Sequence, residues 1–295
     1  MERGLSAPAI FDRGLLRRRL ARAAARGAPD FLLARAADDL ADRLAGIRRP
    51  FPRSLDLCTP SAHFADIVAA SGRPAPLRAG RFFGPGVDLV AEEEALPFAA
   101  GAFDLIVSGF ALQWVDDLPG ALAQARRMLA PDGLFLACFP GGASLIELRA
   151  AFAQAEDEIC GGASPRVSPF VDLRDLGGLL QRAGFALPVT DVDSFTLRYD
   201  SMLSLCAELR AMGAANVLTE RARRPLRRAV LMRAAEIYGE RFADADGRVR
   251  ATMELVWLSG WAPHESQQKP LAPGSAQMRL ADALKPRGSD ASDEE

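Results

Sequence analysis

The residues whose types and spacing could do chemistry are a few polar groups at the ends of apolar runs. Asp56 stands inside SLDLC (54–58), Glu92 and Glu93 directly follow VDLVA (87–91), and Ser108 sits near the end of FDLIVSG (103–109). An ionised carboxylate in such a place only accepts hydrogen bonds, which suits it to the N–H and O–H donors of a ligand. The plainer reading of Glu92 and Glu93 is a solvated acidic loop shared with Glu94. Cys58 reads as a small buried residue at a strand end or as part of a ligand-contacting turn. No base is paired with it, so a nucleophilic role is the weaker reading. Gln113 and Trp114 follow the 103–109 run and should face a crevice at its end. His264-Glu265, after a run ending in Trp261, could act as general acid and base or supply metal ligands. It could equally tie a strand end together by hydrogen bonds. Histidine occurs only at 63 and 264, which excludes a His-rich metal site. His264 with one or two carboxylates falls short of a two-His-one-carboxylate iron site.

These groups need a scaffold, and the stretch 87–139 supplies its pattern. FDLIVSG is continuous, β-branched and aromatic, as expected for a strand buried on both faces. Residues 120–129 carry apolar side chains at 121, 122, 125, 128 and 129, one face of a helix. Pro131-Asp132-Gly133 should end that helix and turn the chain, and 134–139 should be a second buried strand. Strand, helix, strand with short joints predicts a βαβ unit with parallel strands. Around it, amphipathic helices are expected over 12–25 and from Asp30, which would cap the second. A first strand is expected at 54–58, and at most a short edge-like strand within 73–86. Helices should follow over 63–70, 144–159, 172–183 and 202–212, and from 219, or from Pro225, to 242. Strands should cover 185–199 and 250–261. The alternation predicts an α/β sandwich with a mostly parallel sheet, whose ligands bind beyond the carboxyl ends of the strands. Loops 58–63, 91–96, 108–114 and 140–143 would then surround one crevice.

Bulk properties narrow the class. The chain has 295 residues, 49% hydrophobic and 25% charged, enough for a sizeable core. A net charge of −2 gives no global attraction to nucleic acid or membrane. All but two of its 36 basic residues are arginine. The basic run 221–228 reads as a solvated face or as a surface for an acidic protein partner. Four scattered cysteines, 58, 138, 160 and 206, argue against a disulfide or zinc scaffold and for a reducing compartment. No apolar run reaches 18 residues, so no membrane-spanning helix is expected. Arg-rich residues to 26 have the loose composition of a transit peptide, but a surface helix of a bacterial cytoplasmic protein is the preferred reading.

AEEEALPF (91–98), FDLIVSGFALQWVDDLPGAL (103–122), LAPDGLF (129–135) and SPRVSPFVDLRDLGGLLQRAGF (164–185) together resemble a class I S-adenosylmethionine (SAM) dependent methyltransferase of the type-11 kind. The core is similar to the malonyl-carrier methyltransferase of biotin synthesis. FDRGLLRRRLARAA (11–24), MGAANV (212–217), GWAPHESQQKP (260–270) and GSA (274–276) bring it closer to relatives of the complex I assembly factor that hydroxylates an arginine. The resemblance implies a Rossmann-like, seven-stranded sandwich with a helical extension at 1–50 and a core at 51–200. A helical insertion or lid at 201–248, a last strand with C-terminal extension at 249–286, and a disordered acidic tail at 287–295 would complete it. It implies SAM as cofactor, contacted by Asp56, Cys58, Glu92, Glu93 and Ser108, with Glu92 accepting the adenine amino group. Many relatives carry His where Gln113 stands, which makes Gln113 a catalytic candidate beside His264 and Glu265.

Two departures stand out. The family turns its chain around SAM with glycines, where this sequence has Cys58, Pro60 and Ala62. The acid that holds the ribose hydroxyls has no counterpart in RFFGPG (81–86). The resemblance therefore implies a methyltransferase-family protein acting on a protein or small-molecule acceptor, with a respiratory complex I subunit as partner. The alternative is a non-catalytic assembly factor that has lost SAM binding. The compartment would be the bacterial cytoplasm, or the mitochondrial matrix in a eukaryote.

Overall fold

Apolar side chains spaced by helical turns on either side of a run of buried strands produce a helix–sheet–helix sandwich. The computed structural model describes residues 9–171 and 173–268. In chain order the elements are α1 (Arg13–Ala25), α2 (Phe31–Ala45), β1 (Ser54–Leu57), α3 (His63–Ala70), β2 (Leu77–Gly80), β3 (Leu89–Val90) and β4 (Phe103–Gly109). Then follow α4 (Leu118–Met128), β5 (Leu129–Pro140), α5 (Ile146–Cys160), α6 (Leu173–Arg182), β6 (Ala186–Tyr199), α7 (Met202–Ala211), α8 (Arg228–Phe242) and β7 (Val249–Trp261). One 3-10 turn, Leu112–Trp114, leads from β4 toward α4. All of these lie in a first compact unit, Met1–Pro263. The second unit, His264–Glu295, is described only over 264–268, a turn. The tail at 287–295 and the GSA stretch lie outside the described residues, as does Asp172, the expected cap of α6.

The seven strands run in the order β3-β2-β1-β4-β5-β7-β6. β3 through β5 are parallel, and β7 is antiparallel between β5 and β6. The order reverses between β1 and β4, and such a switch point opens a crevice outside the carboxyl ends of the strands. Leu105, Ile106, Val107 and Phe135 are fully buried. Full burial of each such side chain stabilises by about 1.5–3 kcal/mol. One face packs on α4 and α6, the other on α2 and α3. A third cluster joins α5, α7 and α8 to β7 through Phe152, Met202, Ile237 and Tyr238.

Four expectations change. β2 is an interior strand, and β3 is the edge; Pro74, Pro76 and Pro85 flank β2 and leave its ladder intact. Pro131-Asp132-Gly133 does not separate helix from strand. β5 begins at Leu129, and Asp132 takes a left-handed φ of 61° inside it. Asp30 makes no capping bond to α2; its carboxylate lies 3.3 Å from His63 Nε2. α8 starts at Arg228, so the basic run 221–227 precedes it as a connecting segment, and Arg221 pairs with Asp12 at 3.1 Å.

Candidate functional site

The crevice is built first from the turn after β1. Cys58 holds a φ of 58°, a conformation that costs a residue with a Cβ roughly 1–2 kcal/mol. Its N–H donates to Ala79 O at 2.7 Å, and its buried Sγ lies 3.6 Å from Ala91 O. Burial, with Glu93 nearby, pushes the thiol well above its ordinary range, so it is packing and not a nucleophile. Thr59 Oγ1 donates to Asp56 Oδ1 and accepts from the Gly109 N–H at 2.9 Å, which stitches β1 to β4. Arg78 Nε donates to Asp56 Oδ2 at 3.2 Å, and Arg78 Nη2 and Nη1 hold Ser61 O and Gly86 O. Asp56 is wholly buried. Desolvation raises its pKa to about 7, against the lowering pull of Thr59 and Arg78. Ser108 is buried too, and its hydroxyl donates to Leu57 O at 2.8 Å. Both polar groups are engaged by the protein itself.

The acidic loop after β3 is engaged more heavily. Arg13, from α1, places Nη2 2.6 Å from both Glu92 Oε2 and Glu93 Oε2, and its Nη1 donates to Trp114 O at 2.6 Å. Burial works against its charge, but Glu93 and Glu92 more than offset this and hold the guanidinium protonated. Arg17 approaches Glu92 at 3.6 Å. Glu93 has no exposed side chain and also contacts Arg81, itself buried. Arg81 donates to Ala111 O at 2.8 Å and lies 5.6 Å over the Trp114 ring. Glu94 accepts the N–H groups of Asp116 and Asp117 at 2.6 and 2.7 Å. Sequence reasoning missed Arg13, Thr59, Arg78 and Arg81. The one available signal was Arg81 itself, a cation directly after β2, where an acid would be needed to hold a ribose.

Gln113 lies in the 3-10 turn. Its Nε2 donates to Phe110 O at 2.9 Å, and its buried Oε1 has no protein partner. His264 and Glu265 belong to the second unit and are exposed; His264 Nδ1 lies 2.7 Å from Ser266 Oγ in its own turn. Gln113 belongs to the first unit, and His264 and Glu265 to the second.

Two cavities divide the crevice at Pro60. The smaller, about 180 Å³, is lined by Cys58, Thr59, Pro60, Arg78, Arg81 and Phe82. The larger, about 310 Å³, includes Phe110, Gln113, Trp114, Leu145, Phe152 and Met212 in its wall. SAM would put its adenosine in the first. Cys58 carries a Cβ in the turn, Pro60 lacks an N–H, and Arg81, directly after β2, turns its guanidinium to Glu93 and Ala111 O. Cys58, Pro60 and Arg81 are where this half departs from a glycine turn and a ribose-binding acid.

Fold and crevice define a class, and comparison confirms it: the chain belongs to the methyltransferase-domain family, whose pattern matches residues 30–188. Within that class it is similar to the mitochondrial arginine-hydroxylase NDUFAF5 of Danio rerio, 35% identical over 94% of this chain and 90% of that protein. The Homo sapiens counterpart is 37% identical over 92% of this chain and 83% of its own length. A malonyl-[acyl-carrier protein] O-methyltransferase of Xylella fastidiosa is 40% identical over 58% of this chain and 56% of that one. In fold it is similar to the Bacillus subtilis YcgJ protein, at a TM-score of 0.50 and 13% identity over 78% of this chain and 99% of that one.

Proposed function

We propose that this chain is a binding member of the methyltransferase family that serves the assembly of a respiratory complex I and transfers no methyl group. The observation that carries the reading is the state of the adenosine half. Arg81, Arg13 and Arg78 neutralise in place the acids a cofactor would use, and Cys58, Pro60 and Ala62 replace the glycines it would need. The acceptor half keeps its cavity at the strand ends. Near full-length similarity to proteins named arginine-hydroxylase supports a protein partner, here a complex I subunit or one of its assembly proteins. The site of this work is the mitochondrial matrix if the source is a eukaryote, a reading that the relatives' mitochondrial label supports, and the cytoplasm if it is a bacterium. Among the described residues no helix is long and apolar enough to cross a membrane.

The cavity also bears on which side chain could enter it. Among the described residues its wall contains Arg166 and Arg210 and no carboxylate, so a guanidinium entering it would meet like charge. Calorimetric titration with SAM tests the reading, with no saturable heat expected at millimolar SAM. Pull-down from the native host should recover respiratory-chain subunits or their assembly partners. Saturable SAM binding together with a methylated product would overturn the proposal. The competing reading, SAM-dependent methyl transfer to a protein or small molecule, draws on Asp56 and Glu92 standing at the ends of β1 and β3. Under it, methylation by the purified chain should occur without any change to residues 58–62.

A further inference from the structure

α1 and α7 flank a groove of about 450 Å³ whose walls carry Arg19, Arg22, Arg26 and Arg210 over the small side chains of Ala207 and Ala211. Many arginines elsewhere are matched with acids: Arg13 with Glu92 and Glu93, Arg35 with Asp193, Arg53 with Asp104. In the groove they are not. Among the described residues no carboxylate lies within ion-pair distance of any of the four. Arg19 donates to a backbone oxygen, Asn216 O, at 2.6 Å. Its guanidinium pKa is lowered by partial burial and by the cations of Arg221, Arg22 and Arg210, with Asp12 as the opposing charge. Uncompensated cations that repel one another around a concave floor gain most from a multivalent anion.

The groove does not stand alone. Arg210 and Ala215 line both it and the 310 Å³ cavity of the acceptor half. That cavity is walled by Leu145, Leu148, Phe152 and Leu209. Its other cation, Arg166, is held by Glu156, with Arg166 Nε donating at 2.9 Å. A concave, largely apolar space therefore lies beside a set of guanidinia without carboxylate partners. Guanidinium forks match phosphate oxygens two at a time, and an apolar chain gains by leaving water for the cavity.

We propose that the groove and cavity form one site for a single-chain amphiphile with a phosphate head, the head held by Arg19, Arg22, Arg26 and Arg210 and the chain buried against Leu145, Leu148 and Phe152. The ligand is a soluble monomer, because a cavity of about 310 Å³ has room for one chain and is not a bilayer face. This goes beyond the assembly reading and does not depend on it. Loss or gain of SAM binding, or of a complex I partner, leaves the titrations below unchanged.

The full chain is titrated with decyl phosphate below its micelle concentration, and in parallel with decanol and with inorganic phosphate. Calorimetry and the fluorescence of Trp114, which lines the cavity, report binding. One site per chain is expected, with decyl phosphate binding more than about tenfold tighter than either half alone and weakening as salt rises. Arg22→Glu with Arg26→Glu changes two exposed residues. It should bring decyl phosphate down to the affinity of decanol and leave decanol itself unchanged. Arg210→Glu should do the same. Equal binding of decyl phosphate and decanol, or of decyl phosphate and inorganic phosphate, would overturn the proposal. So would indifference to charge reversal, or binding to phosphatidylglycerol vesicles without uptake of the monomer.

Discussion

The adenosine half and the acceptor half of the crevice sit on one sheet and have been treated in opposite ways. Around β1, β2 and β3, buried charges close on one another: Glu93 between Arg13 and Arg81, Asp56 between Thr59 and Arg78. Beyond Pro60, around β4, β5 and the helices inserted before β7, the walls are apolar and the space stays open. A buried ion pair fills volume and turns its charges on each other, so it closes space as a plug of leucines would, although Arg81 Nε is left without a hydrogen-bond partner. On the proposed reading the first half serves as structure and the second as a receptor.

The sharpest way to break this comparison is to remove the anion at the centre of the closed half. Glu93→Leu leaves Arg81 buried without its counter-charge and should cost about 3–5 kcal/mol in urea unfolding. Arg81→Met added to it should recover much of that loss. If Glu93→Leu alone is neutral, the closed half is not held by charge. A smaller effect follows from Asp56. Its folded pKa, about 7, lies above the ordinary 3.8, so its contribution is fully present below pH 3.8 and is lost as pH rises through 7. Between pH 5 and 8 the native chain should lose about 2–3 kcal/mol that Asp56→Asn does not lose. Denaturant midpoints at the two pH values for both chains would check the slope, and parallel slopes would count against a buried, protonatable Asp56.

Glycines restored at 58, 60 and 62 sharpen the comparison further. Alone they should leave SAM unbound, because Arg81 still follows β2 directly, where the family's acid would hold the ribose. With Arg81→Ser added, SAM affinity should rise at least tenfold, about 1.4 kcal/mol, read by calorimetry. The smallest effect concerns α1, which carries Arg13 into the closed half. Asp12 caps it at 2.9 Å through the Leu15 N–H, and Asp12→Ala should cost about 1 kcal/mol. Protease nicking near residue 13 should rise with it, while the acceptor half keeps its resistance.

Local pattern made much of this legible. The unbroken apolar run of β4, the helical stripe of α4 and the strand at 134–139 announce a parallel βαβ unit from spacing alone. Asp56 and Glu92 could be placed at strand ends because a polar residue beside an apolar run has few other places to be. The turn at Pro131-Asp132-Gly133 was not legible. A turn tripeptide can be drawn into a strand when one residue, here Asp132, absorbs the bend. Nor was the edge position of β3, since sheet order is set by packing and not by the run itself.

The sequence by itself determined that this is a doubly covered α/β sheet of the methyltransferase kind, and that its glycine turn is gone. Periodicity and residue type are local, so they survive being read one residue after another. Only the tertiary structure decided what took the place of the cofactor contacts. Arg13 meets Glu93 across 80 positions of chain, Arg81 reaches Ala111 across 30, and Arg210 joins the arginines of α1 from the helical insertion. Coulomb attraction and exclusion from water act between neighbours in space, and those neighbours are chosen by strand order and helix packing.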